Sequence, residues 1–166
     1  MKIKDTFISE LEEESKSTQK MLEIIPEEKL MWQPHEKSMT LCRLATHIAE
    51  LPGWISSIIE HDELDFGKEN YKAPIVKTNS ELLDIFNQNY NRAMKSLKET
   101  DDEVFMKNWT LRKNETIYFT LPKIVCLRSF CLNHLYHHRG QLTVYLRLLN
   151  IPIPNSYGPT ADNPIM

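Results

Sequence analysis

Scarcity of glycine constrains this chain more than any other feature: 166 residues contain four. Gly53, Gly67 and Gly158 stand beside proline or in polar, breaker-rich stretches, so long segments run without punctuation. Glycine weakens helix interiors and marks turns and left-handed corners. A chain with so few is expected to place most of its length in helices, and the apolar spacing agrees.

Phe7, Leu11, Thr18, Leu22 and Ile25 step three or four apart, which predicts a first helix from about Ile3 to Ile25, closed by Pro26. Pro26 to Met39 reads as a connection with room for one helical turn. Ser38 or Thr40 can cap a second helix whose stripe is Leu41, Leu44, Ala45, Ile48, Ile55 and Ile59. Pro52-Gly53 interrupts that stripe, and a kink is expected because proline removes a donor and crowds the Ile48 carbonyl. His61 to Lys77 is polar, holds Gly67 and Pro74, and reads as a loop long enough for a crossover between non-adjacent helix ends.

Thr78-Asn79-Ser80-Glu81 has the form of a capping box and opens a third helix through Leu82, Phe86, Tyr90, Ala93, Met94 and Leu97. Trp109 to Phe119 is rich in β-formers and split by Lys113-Asn114, as a short hairpin would be. Thr120 and Pro122 are expected to open a fourth helix that runs to about Leu149, with Asn150 as a left-handed stop. The tail from Ile151, with four prolines, is expected to pack across the bundle surface. The fold class that follows is all-α: a four-helix bundle with a long crossover connection and a short β-hairpin between the third and fourth helices, in one domain over residues 1–166.

Composition narrows the function classes. A net charge of -3 and a pI near 6.1 lack the basic footprint of a phosphate-backbone binder, so no nucleic-acid partner is expected. The charged start Met1-Lys2-Ile3-Lys4-Asp5 leads into no apolar signal core, and the apolar runs are too short for a bilayer, so no membrane partner is expected. Cys42, Cys126 and Cys131 are odd in number and without framework spacing; they read as reduced thiols in a cytoplasmic protein.

The histidines carry the chemistry. On a helical wheel of the fourth helix, His138 falls within about 20° of the apolar stripe's centre and His134 within about 60°, while His137 lies about 120° away, toward solvent. Two inward imidazoles one turn apart can chelate one ion if a third ligand arrives from another helix. His47, at the edge of the second helix's stripe, is the candidate; His35 and His61 fall in breaker-rich or acidic surroundings and read as solvated. The alternative is a set of packed core histidines bonded to polar partners. The expected metal ligands are His47, His134 and His138.

The run His134-x-x-His137-His138-Arg139-Gly140-Gln141-Leu142, with Leu44-Ala45-Thr46-His47-Ile48-Ala49-Glu50 before it, resembles the DinB family of damage-inducible, YfiT-like metal-binding proteins. The ending from Ile153 through Tyr157-Gly158-Pro159-Thr160-Ala161-Asp162 is similar to that family's C-terminal signature. The resemblance implies a four-helix bundle with a long crossover, a divalent metal on the same three histidines, and a homodimer. Relatives of this kind include thiol-dependent transferases and isomerases, so it also implies a low-molecular-weight thiol and a small electrophile as substrates. The competing expectation is a non-catalytic, stress-inducible protein with a structural ion.

Three imidazoles leave an ion coordinatively open and suit zinc, nickel and iron alike. Because the ligands must be deprotonated, metal loss is expected below about pH 6. Gly140, in mid-helix, is expected to mark a close helix approach or a crowded site. Arg139 reads as one half of a solvated salt bridge, and Glu50 as exposed. Gln141 suits a bond to a metal-held water or an interhelical hydrogen bond, and Cys131 reads as an apolar filler rather than a fourth ligand. Trp32, Trp54 and Trp109 read as core or interface aromatics, and no catalytic residue is assigned.

Overall fold

The computed structural model describes residues 2–68 and 70–164. Four helices dominate: α1 (Ile3–Glu23), α2 (Leu41–Glu60), α3 (Asn79–Glu99) and α4, which is continuous through Lys123–Cys126, Leu127–Leu132 and Asn133–Leu148. The expected single turn between α1 and α2 is present at Glu27–Lys29. Thr40 caps α2 by accepting from the Arg43 amide, and Thr78 caps α3 by accepting from the Glu81 amide. The Glu81 carboxylate reaches back one residue further than a standard capping box, to the Lys77 amide at 2.6 Å.

α2 continues through Pro52 and Gly53 rather than ending there. Asn89 of α3 donates to the Ala49 carbonyl at 3.2 Å, supplying a partner within the turn that the proline disturbs. A Cβ on Gly53 would meet Asn89 Oδ1 at 2.3 Å, so this glycine is what lets α3 approach.

The crossover holds a strand that periodicity did not show, β1 (Glu63–Asp65). It pairs in parallel with β2 (Asn108–Lys113), and β2 pairs antiparallel with β3 (Thr116–Pro122), in the order β1-β2-β3. The expected hairpin is therefore present and longer than read, with its turn at Asn114, where φ is 51°. Thr120 and Pro122 belong to β3, so α4 opens later than expected, at Lys123. Asp65 accepts from the amides of Gly67 (2.9 Å) and Asn114 (2.8 Å), which fastens the crossover to the hairpin turn.

α4 also departs from regular α geometry. Its Leu127–Leu132 segment is a wide π-type turn, and the Asn133 amide bonds to the Arg128 carbonyl five residues back. Asn150 takes the left-handed stop that its identity predicted, with φ 60°. Buried Lys123 donates to the carbonyls of Ile59 (3.2 Å) and His61 (2.7 Å), satisfying acceptors at the C-terminal end of α2 and joining it to the start of α4.

The interior forms two apolar clusters. One gathers Leu22, Leu44, Ile48, Phe86, Leu135 and Leu142; the other gathers Phe7, Ile55, Leu97, Phe105, Trp109 and Leu132. In α4 the change from one to the other falls between Leu132 and Leu135, on either side of His134. Among the described residues, no helix is long and apolar enough to cross a membrane. Cys42, Cys126 and Cys131 are all free and buried.

Candidate metal centre

His47 projects from the middle of α2, and His134 and His138 from consecutive turns of α4 beyond the π turn. The structure brings the three rings together. His134 Nε2 lies 2.8 Å from His138 Nε2 and 3.3 Å from His47 Nε2. Ring centroids are separated by 4.6 to 5.0 Å. His137 and His61 are exposed, as is His35, whose Nδ1 accepts from the Lys37 amide. Cys131 is buried in the second apolar cluster, where burial pushes its thiol up; it is not among the converging ligand atoms.

These nitrogens fit a metal ion. Nitrogen ligands at about 2.0–2.1 Å lie about 3.3 Å apart at a tetrahedral angle and about 2.9 Å apart at a right angle. Gln141 supplies a second test. Its Oε1 lies 2.7 Å from His138 Nδ1, so it takes the one proton of the neutral ring and leaves the Nε2 lone pair facing the other imidazoles. Lone pairs converging on one point, with no carboxylate among the ligand atoms, are what a cation satisfies. Gln141 thus makes its bond within its own helix rather than between helices, and fixes the tautomer of a candidate ligand there.

The electrostatics favour neutral rings. Burial first, then the positive charge of neighbouring imidazoles and of Arg43, lowers His47 from its ordinary value to about 4. Burial also lowers His134, offset in part by a hydrogen bond to the Phe130 backbone, and lowers His138, offset in part by Gln141. A proton therefore competes for these ligands less well than for free histidine. An ion held by these rings would thus be displaced by protons at a lower pH than one held by free histidines.

A cavity of about 640 Å³ opens beside the cluster, between α2, α3 and the crossover. His47 lines it; His134 and His138 do not. Arg43, Glu50 and Trp54 of α2 are in the same wall. Glu50 is not exposed as expected: its side chain is 17% accessible, bound by Arg43 at 3.2 Å and by the Tyr71 hydroxyl at 2.9 and 2.8 Å. Burial and this bond raise the Tyr71 hydroxyl to about 12, so it stays a donor. Sequence reasoning missed Arg43 and Trp54 as site residues. The signal was their spacing of four before and seven after His47, which puts them on its face of α2.

Two further expectations are corrected. Arg139 is buried, 3% exposed, and binds the Glu14 carboxylate, the Glu14 carbonyl (3.0 Å), Thr18 Oγ1 (3.1 Å) and the Tyr157 hydroxyl. The solvated salt bridge is thus a buried knot joining α1, α4 and the tail, and the tail packs across the bundle as expected. Gly140 marks no close approach: it is exposed, and a Cβ there would meet nothing within 4 Å.

A helical bundle carrying three converging histidines on two helices defines a class of candidate metal-binding proteins. The sequence matches the DinB family over residues 1–164, and the chain belongs to that family. It is 29% identical over 161 residues to the uncharacterized YrdA protein of Bacillus subtilis (strain 168), covering 95% of this chain and 90% of that one. A DinB-like protein from Bacillus cereus ATCC 10987 superposes with a TM-score of 0.72 at 26% identity, over 92% of this chain and 97% of that one. The fold is also that of the DinB-like protein YjoA from Bacillus subtilis, with a TM-score of 0.70 at 16% identity over 97% of this chain and 99% of that one.

Proposed function

We propose that this protein is a metal-dependent enzyme: His47, His134 and His138 hold one divalent ion, zinc, nickel or iron, and a low-molecular-weight thiol is conjugated to a small electrophile. The observation that carries the reading is the double position of His47, which belongs both to the histidine cluster and to the wall of the cavity. A bound ion with open positions supplies Lewis acidity, which makes a thiol or water acidic near neutral pH. The chain's own residues prepare for it. Burial keeps the imidazoles neutral, Gln141 orients His138, and the cavity sets apolar walls beside His47 for the reactants. The reaction balances as R–SH plus R′–X giving R–S–R′ plus HX, the thiol proton leaving with X.

The test is a rate. Bacillithiol, glutathione and coenzyme A are each offered with a bromobimane electrophile to metal-loaded protein, to metal-free protein and to His134→Ala. Faster conjugation with at least one thiol, in metal-loaded wild type alone, is the expected result; equal rates in all three refute the enzyme reading. The competing reading, a structural ion tying α2 to α4, draws on the spread of the cluster over both helices. Against it, Leu44 and Ile48 already share an apolar core with Leu135 and Leu142. A large fall in melting temperature on chelation, without turnover, would favour the structural ion. A homodimer belongs to the same proposal and is tested by sedimentation; a cytoplasmic setting is supported by the three free thiols.

A further inference from the structure

The cavity beside the histidines has a lining that metal binding does not call for. Its volume of about 640 Å³ is within the range of small-molecule sites. Trp54, Phe66, Leu64 and Ile85 give it apolar walls. The aromatic rings are continuous: Trp54 lies 6.2 Å from Phe66 and 4.6 Å from Phe130, centroid to centroid, and Phe130 lies 6.1 Å from His134. The rings meet edge to face or tilted, at 63°, 63° and 44°, so a connected aromatic wall, with Trp54 and Phe66 on the cavity, runs from the crossover to the histidines.

The charges in the wall are unequal. Among the described lining residues the cations are Arg43 and Lys72 and the one carboxylate is Glu50. That carboxylate is occupied by the Tyr71 hydroxyl and by Arg43 Nη1. Arg43 is engaged by Glu50, Thr46 and the Tyr71 hydroxyl, whereas Lys72 makes no ion pair among the described residues and leaves positive charge in the wall for a ligand. An apolar slot whose described residues carry one surplus positive charge selects a particular kind of molecule.

We propose that this cavity binds the electrophilic substrate as a flat aromatic or conjugated molecule with one carboxylate-like anion, its ring against Trp54 and Phe66 and its anion toward Arg43 and Lys72. The word electrophilic rests on the function proposed above; the binding preference does not.

The experiment is calorimetric titration of 2-naphthoate, 2-naphthamide and 2-naphthylmethylammonium into wild-type protein, with and without metal. Naphthoate should bind about tenfold more tightly than the ammonium compound. Lys72→Gln should narrow the lead of naphthoate over naphthamide about threefold to tenfold, because one charge-assisted contact is lost. Trp54→Ala should weaken both alike, whereas Lys95→Gln, an exposed lysine of α3 outside the cavity, should change neither. Lys72 is in the crossover, so its variant decides the question if Trp54→Ala fails to fold. Equal affinities for the three compounds, or an unchanged lead in Lys72→Gln, would overturn the inference. Protein that binds no metal yet prefers naphthoate refutes only the enzyme reading; protein that binds metal and shows no preference refutes only this inference.

Discussion

Truncating Glu14 to alanine would leave the Arg139 guanidinium, 3% exposed, without the carboxylate that neutralises it. Breaking a buried pair by removing one partner costs about 3–5 kcal/mol, because the survivor is left charged and poorly solvated. Here the Glu14 side chain is 13% exposed, and the Glu14 carbonyl, Thr18 Oγ1 and Tyr157 hydroxyl remain as neutral acceptors. The lower end applies, about 3 kcal/mol. In a domain of this size each kcal/mol shifts the melting temperature by about 2–4 °C, so a fall of about 6–12 °C is expected. Urea unfolding followed by circular dichroism should give the same loss from the shift in midpoint at constant slope. The pair of Glu13 with Lys16 is an internal control: its side chains are 72% and 66% exposed, and Glu13→Ala should change nothing measurable. The double variant Glu14→Leu with Arg139→Met should recover most of the loss, since an apolar pair of similar volume replaces buried ions at little cost. A loss below about 1 kcal/mol for Glu14→Ala, the range of a solvated pair, would refute the reasoning.

Purified protein should carry about one divalent ion per chain by elemental analysis, and His134→Ala should remove it while His137→Ala does not. Gln141→Leu, which frees the His138 ring to change tautomer, should weaken metal affinity about 10–100-fold in a chelator competition; an unchanged affinity would remove Gln141 from the site. In metal-free protein His47 is held at about 4 against an ordinary value of 6.5, so below pH 6.5 the unfolded chain binds a proton that the folded one refuses. Stability should therefore be unaffected by this group above pH 6.5, fall as pH drops toward 4, and level off below; urea midpoints across that range test it, and His47→Leu should flatten the slope. Gly140→Ala should stabilise the protein by about 1 kcal/mol, because the position is an exposed helix interior with open space for a Cβ.

Much of this molecule was legible in its sequence, and the failures share a cause. Helix extents and caps follow from local rules, so Thr40, Thr78 and Asn150 do what their identities require. The histidine cluster was legible because three rings with inward phase have few other reasons to meet. What the sequence hid was set by distant partners. Arg139 reads as a surface residue until Glu14 and Tyr157 arrive from the two ends of the chain to enclose it. Glu50 reads as exposed until the crossover lays Tyr71 over it. β1 has three residues, too few for periodicity to register, and exists because β2 offers it an edge. Gly140 misled in the opposite sense: a glycine in a helix invites a packing explanation, and the fold supplies none.

The π turn at Leu127–Leu132 lets α4 hold one residue more between its two ends than regular α spacing would allow. The half before it is oriented by Lys123 against the end of α2, and the half after it aims His134 and His138 at His47. Six residues in the wide turn sweep about the same angle as five in an α-helix, so deleting Ser129 should restore α spacing and leave the two halves in phase. Deleting one residue of the regular segment before the turn, for instance Val125, would instead swing the second half by about 100° relative to Lys123. Both histidines would then point away from His47, although no ligand and no neighbour of a ligand had changed. The convergence of the three rings is thus governed by the length of a segment that contributes no atom to it.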